Sequence, residues 1–167
     1  MENIKDKEQY KKEIIKCINI ILVLIWMIIV FWFSAQIGES SSNISGNTIR
    51  RIITFLNNNI SALELEKIVE FLQPIVRKLA HFTMYTIGGF LIYNLFKAIN
   101  NTEKKKIIYS FIFGVIYATT DEIHQLFVQG RSGSIIDVGI DSLGVISGIC
   151  IYIILRKFIN RILKYKK

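Results

Sequence analysis

Cysteine, proline and histidine are nearly absent. The 167 residues hold two cysteines, one proline and two histidines. Both cysteines, Cys17 and Cys150, fall inside long apolar runs, which excludes the framework of an exported disulfide domain and makes buried free thiols the expected state. Zinc-ligand spacing, a phosphate-binding glycine loop, a Ser-His-Asp order and a long repeat are missing too, so none of those motif-borne chemistries is expected.

Apolar residues are abundant instead. Hydrophobic types make up 51% of the chain and the mean hydropathy is +0.40, too apolar for an ordinary soluble domain and too short for more than one compact unit. Crossing a hydrocarbon layer of ~30 Å takes about 20 helical residues. Four runs are long enough: about 17–33, 79–99, 107–127 and 135–155. The first exceeds the usual ~7 to 15 residues of a signal-peptide core, and bulky Phe33 spoils a cleavage site at Ala35, so it reads as an uncleaved span. The fold class is therefore all-α, one multi-pass membrane domain over residues 1–167.

The net charge of +8 is compatible with nucleic acid, anionic lipid or the cationic flanks of membrane helices, and position decides among them. Five positive residues lie in the N-terminal tail (Lys5, Lys7, Lys11, Lys12, Lys16) and four in the short link between spans two and three (Lys97, Lys104, Lys105, Lys106). Six more lie in the C-terminal tail (Arg156, Lys157, Arg161, Lys164, Lys166, Lys167). Positive flanks stay cytoplasmic, so both tails, 1–16 and 156–167, are expected inside a bacterial cell membrane, and nucleic-acid binding is not expected.

Between Ser34 and Val76, Ile49, Ile52, Ile53 and Leu56 recur at helical spacing, as do Leu65, Ile68, Val69 and Leu72 behind a capping box of Ser61 and Glu64. Two short amphipathic helices, about 46–57 and 61–73, are expected on the extracellular side, with "GESSSNIS" as a polar link before them and Pro74 ending the second. They cover the tops of the spans or form a lid around an outer-leaflet site.

The third span ends in "ATTDEIHQLF", which places Asp121, Glu122, His124 and Gln125 within five residues of apolar helix. At ~1.5 Å per residue, Asp121 lies about 9 Å below the outer end of its span, level with Tyr85 on span two and Asp141 on span four. Residues three or four apart share a helix side. This groups Arg77, His81, Tyr85 and Gly88; Gly114, Ala118, Asp121 and Gln125, with His124 beside them; and Asp137, Asp141, Gly144 and Gly148. Ionisable groups facing lipid cost several kcal/mol. Packed inward, these stripes make a polar pocket open to the outside above an inner half closed by small residues. Internal ion pairs that simply hold the helices together are the plainer alternative.

Three blocks resemble the VanZ family of small bacterial membrane proteins: "FSAQIGESSSNIS", "RKLAHFTMYTIGGFL" and "DEIHQLFVQGRSGSIIDVGIDSLGVISG". The positions that match the family pattern are Ser34, Gln36, Lys78, His81, Phe82, Tyr85, Asp121, Glu122, Gln125, Gly130, Arg131, Asp137 and Gly144. Gln129 departs from it where proline is common, and Asp141 where asparagine is common. The resemblance implies a phenotype class, resistance to the glycopeptide teicoplanin, a fatty-acylated antibiotic that acts on lipid-linked cell-wall precursors at the outer leaflet.

Two functions of different class fit. The first is binding of an outer-leaflet amphiphile, whether lipid-linked envelope precursor, phospholipid or lipoglycopeptide. Arg77, Lys78 and Arg131 would grip phosphate or carboxylate, and His81, Tyr85, Asp121, Glu122, Gln125, Asp137 and Asp141 would bind polar headgroup atoms. The second is an intramembrane hydrolase or transferase using Asp121, His124 and Asp137 as acid and base, without an obvious nucleophile, since Ser132 and Ser134 sit in a turn. Ligand spacing is weak support for a divalent metal on that trio, and neither metal nor cofactor is expected. An ion pathway is disfavoured by the inner half, which has no comparable polar chain.

Overall fold

The apolar run after Lys16 and the basic tail before it fold as one helix, α1 (Glu2–Ser34). In the computed structural model, which describes residues 2–99 and 102–165, four more follow: α2 (Gly38–Leu56), α3 (Ala62–Ile99), α4 (Glu103–Gln125) and α5 (Ile135–Tyr165). Lys166 and Lys167 lie outside the described residues, as does the side chain of Lys5.

The class is all-α, but two boundaries differ from the sequence expectation. "GESSSNIS" is not a link; it is the first half of α2. Gly38 N–H donates to Gln129 O at 3.0 Å, and Gln73 Nε2 donates to Ser42 O at 2.6 Å, so tertiary partners hold a polar stretch helical despite its modest intrinsic preference. The second correction concerns Pro74, which does not end a helix. The amphipathic segment and the second span are one 38-residue helix with Pro74 inside it. Proline forfeits one backbone hydrogen bond there, a cost that the packing of α3 against all four other helices outweighs. The expected capping box is present: Glu64 N–H donates to Ser61 Oγ at 3.3 Å and Ser61 N–H to Glu64 Oε2 at 3.4 Å.

By length and composition, α1 and α5 qualify to cross a membrane. Although expected as spans, α3 and α4 fall short of the same measure: polar residues from Arg77, Lys78 and His81 through Asn94 and Lys97 are spread along α3, and Asp121, Glu122 and His124 interrupt the apolar run of α4. The outer faces are greasy throughout, with Ile28 at 67%, Ile116 at 59% and Ile154 at 64% exposure. Apolar surface this extensive marks a membrane or partner environment.

The core lies where Trp26, Tyr85, Ala118 and Val145 meet. Trp26 fills the space left by Gly88, and its Nε1–H donates to Met84 O at 2.9 Å. The α3 and α5 backbones approach closely at Gly144 and Gly148: a Cβ on Gly144 would lie 2.6 Å from Phe82 O, and one on Gly148 would strike Thr86 O. This is the small-residue packing by which helices associate in lipid.

One end of the bundle gathers the α3–α4 connection and the exit of α5. Lys97 Nζ donates to Tyr152 Oη at 2.8 Å, Asn94 Nδ2 to Asn19 Oδ1 at 2.8 Å, and Tyr93 Oη to Glu103 Oε2 at 2.7 Å. The opposite end holds the acids.

Candidate functional site

Three helices and one turn build this end. α4 contributes Asp121, Glu122 and Gln125, all at most 5% exposed, and α5 contributes Asp141 at 0%. α3 brings Tyr85, also at 0%, and the half-buried His81. One ligand-capable atom from each of His81, Asp121, Glu122 and Asp141 lies within 4.8 Å of the others.

The carboxylates are held from outside the cluster. Ser34 Oγ, at the last residue of α1, donates to Asp121 Oδ2 at 2.9 Å. Gln125 Nε2 donates to Asp121 Oδ2 at 3.3 Å and Glu122 Oε1 at 3.2 Å, and Ser134 N–H donates to Glu122 Oε2 at 2.9 Å. Asp121 Oδ1, both Asp141 oxygens and Tyr85 Oη are buried without a hydrogen-bond partner. The closest basic group to Asp141 is the His81 imidazole, whose Nδ1 is 3.8 Å from Oδ2, beyond hydrogen-bond range.

The turn after α4 is latched rather than free. Gly130 has φ 74°, a left-handed conformation that favours glycine, and a side chain on Gly38 would run into its carbonyl. Arg131 donates from Nε to Gln36 O and from Nη2 to Phe33 O, each at 3.1 Å. Burial and the neighbouring Arg77 pull its guanidinium below the ordinary value, though an arginine there stays charged. Its two directed bonds go to backbone, so Arg131 ties the turn to the end of α1.

Two hollows border the cluster. An apolar cavity of about 470 Å³ between α1, α2 and α3 is lined by Val30, Phe33, Ile44, Ala80 and Met84, among others. A smaller polar one of about 50 Å³ is lined by Lys78, Glu122, Gln125, Asp137 and Asp141. Arg77 and His81 line both.

The chain belongs to the VanZ/LLP1 family. The family model matches residues 19–156, which takes in every residue of the cluster and of both hollows. No curated protein and no solved structure matches the chain.

In this VanZ-family protein, most of the sequence-expected site residues gather at one end. His81, Tyr85, Asp121, Glu122, Gln125 and Asp141 meet at the cluster, while Lys78 and Asp137 form a 2.9 Å ion pair on the wall of the polar hollow. The trio Asp121, His124 and Asp137 is not assembled. His124 packs its ring against Phe31 of α1 at 4.4 Å and lines neither hollow, and Asp137 faces Lys78. Ser34 is not among the binding or catalytic residues expected from the sequence; its place among the positions that match the family pattern is the signal that points to it. Cys17 and Cys150 are free, as expected, but exposed on the surface of α1 and α5 rather than buried within the bundle.

Proposed function

We propose that this protein binds an anionic amphiphile of the outer leaflet, its chain in the apolar cavity and its headgroup at the polar hollow. A lipid-linked envelope precursor, a phospholipid and a lipoglycopeptide share this chemistry. The reading is in keeping with a family associated in general with glycopeptide resistance. It rests on one observation: a hollow of about 470 Å³ walled largely by aliphatic and aromatic side chains shares two wall residues, Arg77 and His81, with a smaller charged one. Binding sites are mostly apolar with a few convergent polar groups, and arginine suits phosphate and carboxylate.

The topology belongs to the same proposal. α1, the C-terminal part of α3, α4 and α5 cross the membrane; α2 and the start of α3 lie on the outer surface; both termini are cytoplasmic. Supporting it, the basic tails and the Lys97 to Lys106 link converge on one end of the bundle and the cluster on the other.

The test is native mass spectrometry of protein purified with its lipid. Arg77→Gln and Ala80→Phe should each reduce the co-purifying amphiphile at least about tenfold, a loss of about 1.4 kcal/mol. Equal amounts in parent and variants overturn the proposal.

A further inference from the structure

The amphiphile reading leaves the buried carboxylates themselves unexplained. Asp121, Glu122 and Asp141 are at most 5% exposed and share one small volume with His81, yet Asp141 has no hydrogen-bond partner on either oxygen and Asp121 has none on Oδ1. Several like charges cannot be buried together without protonation or a counter-charge. Lys78 is already engaged by Asp137, and Arg131 directs its bonds to backbone carbonyls.

We propose that His81, Asp121, Glu122 and Asp141 form a binding site for one divalent transition-metal ion, Mn²⁺ or Zn²⁺. One imidazole with three carboxylates suits these ions better than Ca²⁺, which takes six to eight oxygens. Donor atoms about 2.1 Å from a metal stand about 3.4 Å apart in a tetrahedral site and at most about 4.2 Å apart when trans in an octahedral one, so the 4.8 Å cluster must contract by at least about 0.6 Å to close on an ion. The outer hydrogen bonds are those a metal site needs. Ser34 and Gln125 donate to Asp121 Oδ2, and Gln125 and Ser134 donate one bond to each Glu122 oxygen, which leaves Asp121 Oδ1 and both Asp141 oxygens unpartnered and a lone pair on each Glu122 oxygen. The ligand set differs from the sequence-suggested trio: it takes His81 in place of His124 and Asp141 in place of Asp137. Three of the four ligands, His81, Glu122 and Asp141, line the smaller hollow, and His81 also lines the larger one.

The experiment uses the full chain in detergent, stripped with chelator and titrated with Mn²⁺ or Zn²⁺ alone, with bound metal counted by elemental analysis. One ion per chain is expected, with affinity weakened at least about tenfold in Asp141→Asn and Glu122→Gln and unchanged in Glu66→Gln, a carboxylate far from the cluster. Should those variants fail to fold, the parent decides. Mn²⁺ bound to it should show ¹⁴N coupling in pulsed EPR that persists in His124→Gln, since the chain has only two histidines. A parent without stoichiometric metal, metal retained at parental affinity in folded Asp141→Asn and Glu122→Gln, or bound Mn²⁺ without nitrogen coupling overturns the proposal. The outcome is independent of whether amphiphile co-purifies.

Discussion

Ser34 and Asp121, 87 positions apart in the chain, are joined by a buried 2.9 Å hydrogen bond that links the end of α1 to the acid cluster on α4. The hydroxyl is the shortest donor to Asp121 Oδ2, the other being Gln125 Nε2 at 3.3 Å. Removing a partner from a buried charged or polar acceptor costs about 1–3 kcal/mol. Ser34→Ala should therefore lower stability by that amount in thermal unfolding followed by tryptophan fluorescence, while Ser34→Thr, which keeps the hydroxyl, should lose less. An alanine variant as stable as the parent would mean that Asp121 does not need the donor.

The α3–α5 crossing predicts opposite signs for two glycines of one helix. A methyl on Gly148 would meet the Thr86 carbonyl, whereas one on Gly139 has nothing within 4 Å. Overpacking costs about 1–3 kcal/mol, and Gly→Ala on an open helix face gains up to about 1 kcal/mol. Gly148→Ala should unfold at lower temperature than the parent and Gly139→Ala at equal or higher temperature. Loss in both would indicate that helix propensity and local space do not govern α5.

Much of the cluster was legible because two regularities of the helix act together. The rise per residue set Asp121, Tyr85 and Asp141 at one depth, and the three-to-four periodicity set their faces. Periodicity left His124 on the flank of its stripe, and only the neighbour on that side, Phe31 of α1, decides where it goes. The apolar sequence of α1 gives little hint of which face it presents. The start of α2 and the continuity of α3 through Pro74 were illegible for a related reason. Serine, glycine and proline disfavour helix locally, and their helicity here depends on contacts with residues far along the chain, such as Gln73 and Gln129.

Arg50 of α2 and Glu66 of α3 form a two-pronged ion pair at 2.8 and 2.7 Å on the exposed side of these helices. The guanidinium hydrogen bonds hold the Glu66 carboxyl below its ordinary value of 4.5. A depressed folded value means the stabilisation is present above the ordinary value and is lost as pH falls through the depressed one. Glu66→Gln should thus melt slightly below the parent at neutral pH, and the two curves should merge at strongly acidic pH. Because the pair is exposed, added salt should shrink the neutral-pH gap too. A gap that persists in acid would assign the effect to packing rather than charge.

Cys150 offers a test of the membrane reading that needs no new side chain at the labelled position. It is exposed on α5, with Ile146 and Ile154, one helical turn away on either side, also exposed at 41% and 64%. In water such a thiol would be open to reagents. Against lipid it would be shielded, since maleimides react through the thiolate, which hydrocarbon disfavours. In a Cys17→Ser background, a membrane-impermeant maleimide should therefore label Cys150 at least about tenfold more slowly in intact vesicles of either orientation than after solubilisation in SDS. Rapid labelling from one side would place this face of α5 in water or along an aqueous path, and α5 would then not be a lipid-facing span.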